Sequence, residues 1–229
     1  DSTRPRWHYV AAALSGPSVA DVATHFAMRW EATTGERLPL AVVPAPTGQS
    51  RVQVVRTVPE KTYAPLPHGD FSILEAYMAA LRGAKRLIYL ENQFLWSTEV
   101  ASVLREKLSR PPHDDFRMCL LLPRHPNNGN DDTRGQLGTL QAADRDHRLI
   151  VGTIGSSAGA KPGVDVHARV GLIDEQWHTI GSANRNAHSH FTDPGDKVKT
   201  YAPPLARPAT RAHGSHDLGP DVGRRPAAA

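Results

Sequence analysis

The apolar run at residues 116–122 constrains the fold most. It has the length of a strand, and its scarcity of polar residues is typical of a strand buried on both faces of a parallel sheet. Residues 86–91 have the same character, and segments with apolar residues at helical spacing lie at 70–83 and 97–110. This alternation predicts an α/β fold, a layered sandwich with a mixed, largely parallel sheet flanked by helices.

The chain of 229 residues is long enough for one domain with loose ends. We expect residues 1–50 to be the end of a preceding half and a linker, and residues 51–193 to be the main α/β unit. Residues 194–229 are rich in Pro, Ala, Arg and Gly without apolar periodicity, which predicts a disordered tail. After Ser18, which can cap a helix, apolar residues at helical spacing predict a helix that packs on the core: Val19, Val22, Ala23, Phe26 and Trp30.

The formal net charge of +4 is concentrated in the tail. From Pro194 onward there are six Lys and Arg against three Asp, a net of +3, which leaves about +1 for the rest. We therefore expect no specific nucleic-acid binding. No apolar run approaches the ~18 residues that cross a membrane, and the chain begins without an initiator Met or a signal-peptide core. We expect a soluble piece cut from a longer protein, cytoplasmic or peripheral at a membrane, with the compartment unassigned.

Residues 166–174 form the candidate catalytic segment. Interpreted as one strand, the segment places His167 and Arg169 on one face and Val166, Ala168, Val170 and Leu172 on the other. Asp174 ends the strand, and a turn with Ser182 and Asn184 follows. A nucleophile or proton carrier, a fixed cation, a carboxylate to orient the imidazole and neutral donors together suit phosphate chemistry. The alternative is the polar face of a half-exposed strand followed by a turn.

A second candidate segment is Glu91-Asn92-Gln93, where a strand runs into a loop. Site residues commonly lie at this position in open α/β sheets. The alternative is a polar turn before the helix that Ser97 is expected to cap.

No metal and no cofactor are expected. His188 and His190 lie near the candidate segment, but no Cys or His cluster with ligand spacing is present. The Asp131-Asp132 pair is interpreted as a solvated helix start. Cys119 is the single cysteine, so no intrachain disulfide is possible, and its apolar neighbours predict a buried thiol.

The pattern His167-x-Arg169-x4-Asp174-x6-Gly-Ser182-x-Asn184 resembles the signature of the phospholipase D superfamily, His-x-Lys-x4-Asp-x6-Gly-Ser-x-Asn. Arg169 stands where the family has Lys. Residues 88–94 resemble the family segment Ile-Tyr-Ile-Glu-Asn-Gln-Tyr/Phe of the phosphatidylcholine-type, eukaryote-like branch.

The segment from Trp7 onward resembles the stretch that follows the first catalytic motif of two-motif members. That stretch usually begins Trp-His-Asp, and here Tyr9 replaces the acid. The resemblance therefore implies a phospholipase D-like fold and the C-terminal half of a two-motif protein.

The resemblance implies a phosphodiesterase that cleaves glycerophospholipids such as phosphatidylcholine to phosphatidic acid through a phosphohistidine. His167, in the C-terminal copy, would be the general acid and base, Arg169 the phosphate-binding cation, and Asp174 the group that favours the needed imidazole tautomer. The substrate-binding residues implied are Ser182, Asn184, Asn92 and Gln93.

A first motif is absent from these residues, so we expect the chain alone to be inactive. The expected partners are a phospholipid at a membrane surface and either a missing first half or a second copy of the chain. Three alternatives stay open: a homodimeric one-motif nuclease or phosphodiesterase, a phosphatidyltransferase of the cardiolipin or phosphatidylserine synthase type, and a non-catalytic lipid- or partner-binding remnant.

Overall fold

The computed structural model describes residues 6–40, 42–95, 97–124, 130–155, 164–182 and 195–201. The described residues form two sheets and four helices. The smaller sheet pairs two parallel strands, β1 (Arg6–His8) and β6 (Val164–Val166). The larger sheet has seven strands, in the spatial order β2 (Arg51–Thr57), β9 (Gly195–Tyr201), β8 (Trp177–Gly181), β7 (Val170–Ile173), β3 (Leu87–Glu91), β4 (Arg117–Leu121) and β5 (Leu149–Gly152).

The seven-stranded sheet is mixed. Strands β3, β4 and β5 are parallel neighbours, whereas β7 and β9 run against the strands on both of their sides. Five of the seven strands therefore point in one direction. This confirms the predicted α/β fold with a mixed, largely parallel sheet.

The core lies between the larger sheet and three helices, α2 (Ser72–Gly83), α3 (Thr98–Ser109) and α4 (Asn130–Ala143), and both layers supply its apolar residues. Alternate residues of the strands face these helices, so Ile88 and Leu90 are buried while Tyr89 is half-buried. Cys119 follows the same alternation and is half-buried, which corrects the expectation of a buried thiol. The main core residues are Ile73, Tyr77, Leu81, Val100, Leu104, Leu108, Met118, Leu120 and Leu140.

Two helix ends follow the sequence closely. Ser97 caps α3, and its hydroxyl accepts a hydrogen bond from the Val100 amide. Helix α1 (Val19–Thr34) ends at Gly35, whose φ of 75° is the left-handed conformation that favours glycine. Ser18 precedes α1, but its hydroxyl donates to the Val52 carbonyl instead of capping the helix.

The apolar stripe of α1 does not pack on the core, contrary to the prediction. Phe26 is 57% exposed, and Val22 and Trp30 are 39% and 38% exposed. Phe26 and Trp30 stack on each other, with ring centroids 6.0 Å apart. Helical periodicity identifies an amphipathic helix, but it does not specify what covers the apolar face.

The predicted disordered tail is wrong for its first residues. Residues 195–201 form β9, which pairs with both β2 and β8 inside the larger sheet. Backbone hydrogen bonds to two neighbouring strands hold this segment, in which Val198, Thr200 and Tyr201 favour a strand. Residues 202–229 lie outside the described residues.

None of the described helices is long and apolar enough to span a membrane.

Candidate active site

The single strand predicted at 166–174 is two strands. Its first part belongs to β6 and its last part to β7, and residues 167–169 between them belong to neither. The apolar alternation shifts at this break. Val166 and Ala168 are buried as predicted, but Gly171 and Ile173 are buried in β7 in place of Val170 and Leu172. His167 and Arg169 therefore lie at the junction of the two sheets.

The strand register gathers most of the predicted site residues at one end of the larger sheet. Val170, at the start of β7, pairs with Glu91 at the end of β3 and with Ile180 near the end of β8. Asn92 and Gln93, which follow β3, and Ser182, which follows β8, therefore reach the same end as Arg169. Asn184 lies outside the described residues.

His167 and Arg169 are in direct contact. The Nη1 atom of Arg169 lies 2.9 Å from His167 Nδ1, and its Nη2 atom lies 3.0 Å from His167 Nε2. Nη1 also donates to the His167 carbonyl at 2.8 Å, and Nη2 donates to Gln93 Oε1 at 3.0 Å. A neutral imidazole has one nitrogen that can accept, so one of the two ring contacts is a hydrogen bond at a time.

Both groups are partly removed from water. Burial lowers the pKa of the His167 imidazole, and the neighbouring Arg169 charge lowers this pKa further. Burial also lowers the pKa of Arg169. The pKa shift and the hydrogen-bond requirement agree, because a protonated imidazole cannot accept a bond from Arg169. Burial and the contact with Arg169 therefore favour neutral His167.

Two aromatic rings of the N-terminal segment lie against the His167 ring. The rings of Trp7 and Tyr9 are each 5.1 Å from it between centroids, in edge-on arrangements. Both aromatic side chains keep an exposed side, at 43% and 59%. The backbone also links the segments, since the His167 amide donates to the His8 carbonyl at 3.0 Å.

Asp174 does not orient His167, which corrects the expected role. It lies beyond the opposite end of β7, where its carboxylate accepts hydrogen bonds of 2.7–2.8 Å from the amides of Lys85, Arg86 and Leu87. The length of β7 separates it from Arg169. Its φ of 51° places it in the left-handed region, which Asp tolerates in a hairpin turn. Asp174 thus ties the β7–β8 turn to the start of β3.

Asn92 and Gln93 are both buried, at 2% and 4% exposure, but they have different contacts. Asn92 shapes the turn after β3, because its side chain accepts from the Gln93 amide and donates to the Phe94 carbonyl. Gln93 reaches the site and holds Arg169. Ser182 is exposed just beyond β8.

Glu91 belongs to a candidate segment of the sequence, but its two partners, His8 and Tyr89, were missed as site residues. His8 Nε2 lies 2.9 Å from Glu91 Oε2, and the Tyr89 hydroxyl donates to Glu91 Oε1 at 2.5 Å. His8 and Glu91 each stand in a segment that resembles the family. However, 83 residues separate them, so their pairing is visible only in the tertiary structure.

Among the described residues, no group of three or more His, Cys, Asp or Glu side chains could hold a metal ion. Asp132 lies near the start of α4 and is exposed. His188 and His190 lie outside the described residues.

No family model matches the chain. Among curated proteins, it is 27% identical over 164 residues to phospholipase D1 of Cricetulus griseus, a match that covers 59% of this chain and 16% of the relative. It is 24% identical over 230 residues to phospholipase D A of Dictyostelium discoideum, covering 81% of this chain and 18% of the relative. A shorter match, 31% identical over 107 residues, joins it to phospholipase D alpha 4 of Arabidopsis thaliana and covers 40% of this chain and 14% of the relative.

Two solved structures are also similar. A phospholipase D family member, Nuc from Salmonella typhimurium, has a TM-score of 0.48 at 14% identity, covering 67% of this chain and 84% of that chain. Phosphatidylserine synthase of Haemophilus influenzae has a TM-score of 0.49 at 10% identity, covering 77% and 40%.

The chain spans less than a fifth of the length of these three curated relatives. The matched relatives come from three different organisms and are all phospholipases D. These matches support membership of the phospholipase D superfamily.

Proposed function

We propose that this chain is the C-terminal half of a phospholipase D-type phosphodiesterase that cleaves glycerophospholipids such as phosphatidylcholine to phosphatidic acid. The observation that carries the proposal is the contact of Arg169 with both ring nitrogens of His167. This contact holds a proton carrier and a fixed cation within reach of one phosphoryl group. The curated phospholipase D relatives support the same reaction class.

In this reaction a nitrogen of one histidine attacks phosphorus, and the bond from phosphorus to the oxygen of the leaving alcohol breaks. A second histidine gives its proton to that oxygen. Water then attacks phosphorus and passes a proton to the second histidine, while the nitrogen–phosphorus bond breaks. We assign His167 to the second role, because the resemblance places its motif in the C-terminal copy.

Arg169 would bind the phosphoryl oxygens through its two terminal nitrogens, a geometry suited to a phosphate. Ser182 and Asn184 would add neutral donors. Gln93 would hold the guanidinium in place, since it accepts from Nη2 at 3.0 Å while Nη1 is held by the His167 carbonyl. Asn92 would contribute through the shape of the turn, because its side chain is used by the backbone.

A bound phosphodiester would also prepare His167 as a proton donor. Burial and the Arg169 charge favour the neutral imidazole, which cannot protonate a leaving group. A negatively charged phosphodiester offsets the charge of Arg169 and draws the guanidinium away from the ring nitrogens. Protonation of His167 then becomes more favourable.

The sequence contains one such histidine motif, so the second catalytic histidine has to come from a first half or from a second copy. The test is release of choline from phosphatidylcholine vesicles by separated monomer and oligomer fractions, with His167→Ala as the control. We expect no release by the monomer. Robust release by the pure monomer that is lost in His167→Ala would contradict the need for a second histidine.

The same monomer and oligomer fractions also distinguish the alternative functions. Cleavage of DNA by a dimer would identify a one-motif nuclease, and transfer to an added alcohol would identify a phosphatidyltransferase. Binding to vesicles that persists in His167→Ala, with no turnover in any fraction, would indicate a non-catalytic lipid-binding protein.

A further inference from the structure

A side-chain bond joins the two sheets beside His167. His8 Nε2 on β1 lies 2.9 Å from Glu91 Oε2 at the end of β3, and these side chains are 31% and 12% exposed. Strand β1 belongs to the two-stranded sheet and β3 to the larger one. The bond between His8 and Glu91 therefore connects separate sheets at their junction.

The Glu91 carboxylate is fixed from a second side. The Tyr89 hydroxyl donates to Oε1 at 2.5 Å, so His8 and Tyr89 each hold one carboxylate oxygen. The backbone of Glu91 is also held, because it is paired with Val170 on β7 and with Leu121 on β4. Glu91 is thus a firm anchor for its partner, a histidine on a three-residue strand.

Strand β1 needs such an anchor. A two-stranded sheet of three-residue strands has few hydrogen bonds and is marginal by itself. Side chains alternate along a strand, so Trp7 and Tyr9 project away from the side on which His8 meets Glu91. They project toward His167 and lie 5.1 Å from its ring.

We propose that His8 and Glu91 are positioning residues for His167. Their bond holds β1 so that Trp7 and Tyr9 pack on the imidazole and the His8 carbonyl accepts from the His167 amide. The proposal rests on the proposed function in naming His167 as the reacting group. Its structural content does not require turnover.

The His8–Glu91 bond acts on the groups that surround the His167 ring. Arg169 contacts the ring nitrogens, while Trp7 of β1 and Tyr9, which follows β1, cover its sides. Gln93 of the loop after β3 acts through Arg169. Release of β1 would remove the aromatic cover and admit water, while the guanidinium would remain.

The test is the titration of the His167 imidazole by nuclear magnetic resonance in the full chain. The variants are His8→Ala, Glu91→Ala and the double variant, and His167→Ala assigns the signals. We expect the pKa of His167 to rise toward that of an exposed histidine in each single variant, since burial is the larger cause of its lowering. The double variant should change it no more than one single variant does, because both changes break the same bond.

Two further variants serve as controls. Tyr89→Phe removes the other bond to Glu91 but leaves the His8 contact, so the pKa of His167 should stay as in the parent chain. His8→Gln keeps a side-chain donor and should restore part of the parent behaviour. Glu91→Met, which approximates the size of the side chain but lacks the carboxylate acceptor, replaces Glu91→Ala if that variant does not fold by circular dichroism.

If Glu91→Ala and His8→Ala lower the melting temperature but leave the His167 titration unchanged, the pair is merely structural and the proposal is wrong. In a chain that assembles into an active form, the variants should lower kcat by about 10- to 100-fold, as misplacement of a reacting group by an ångström does. Absence of turnover in the parent chain after it has assembled with a first half or a second copy contradicts the proposed function, but the titration still decides whether the His8–Glu91 bond positions His167.

Discussion

Arg169 spans the two nitrogens of the His167 imidazole, with Nη1 at 2.9 Å from Nδ1 and Nη2 at 3.0 Å from Nε2. A lysine has one terminal nitrogen, on a flexible stem, and would contact one ring nitrogen at a time. The arginine that departs from the family pattern therefore covers both nitrogens of the imidazole. Access of a substrate to His167 and movement of Arg169 are linked.

Arg169→Gln should raise the pKa of His167, because it replaces a neighbouring positive charge with a shorter, neutral side chain. The pKa should remain below that of an exposed histidine, since burial is the larger cause. Titration of the ring signals measures it. Arg86→Gln, an exposed change at the opposite end of β7, should have no effect. An unchanged pKa in Arg169→Gln would contradict the contact.

Inorganic phosphate should raise the pKa of His167 in the parent chain. The anion offsets the charge of Arg169 and competes for its donors, so the protonated imidazole becomes less costly. Titrations at increasing phosphate and constant ionic strength provide the measurement. The response should be lost in Arg169→Gln and retained in Arg86→Gln. If phosphate does not change the pKa of His167 in the parent chain, the site does not bind phosphate.

Acidification should lower the free energy of unfolding because it protonates His167. Its folded pKa lies below its unfolded pKa, so between these two values the unfolded chain binds more protons. The stability that this group contributes is present above the unfolded pKa and is lost as the pH falls through the folded one. Urea unfolding across this pH window should therefore show a smaller decline in His167→Gln than in the parent chain. Equal declines would show that other groups dominate.

Asp174→Ala should lower the free energy of unfolding by about 1 to 3 kcal/mol. It removes the acceptor for three backbone amides, but Lys85 and Arg86 are exposed and their amides can turn to water. Urea unfolding measures the loss. The titration of His167 should not change, because β7 separates the two residues. A shift in that titration would restore an orienting role for Asp174.

Phe26→Ser should change the free energy of unfolding by about 0.5 kcal/mol or less, because the ring is 57% exposed. Leu104→Ala, in a fully buried position of α3, should cost about 2 to 5 kcal/mol. Comparison of the two by urea unfolding tests whether the apolar stripe of α1 lies outside the core. A loss from Phe26→Ser near that of Leu104→Ala would place the stripe in the core.

Local pattern was sufficient for much of the fold. Apolar runs located β3 and β4, helical spacing located α2 and α3, and Ser97 marked the start of α3 because its hydroxyl satisfies a helix amide. The same information failed for β9, whose hydrogen bonds come from two strands far from it in sequence. It also failed for the stripe of α1, since periodicity cannot say whether a partner covers an apolar face.

The sequence by itself determined which two functional groups lie together at the candidate site. The spacing of His167 and Arg169 brings an imidazole and a guanidinium together through local backbone geometry, and the structure places them in contact. Only the tertiary structure decided the surroundings of that pair. In the folded chain, the Asp174 carboxylate accepts from the Leu87 amide. Gln93 contacts Arg169, and His8 contacts Glu91. These contacts depend on strand order and register, which arise from long-range pairing that no local pattern encodes.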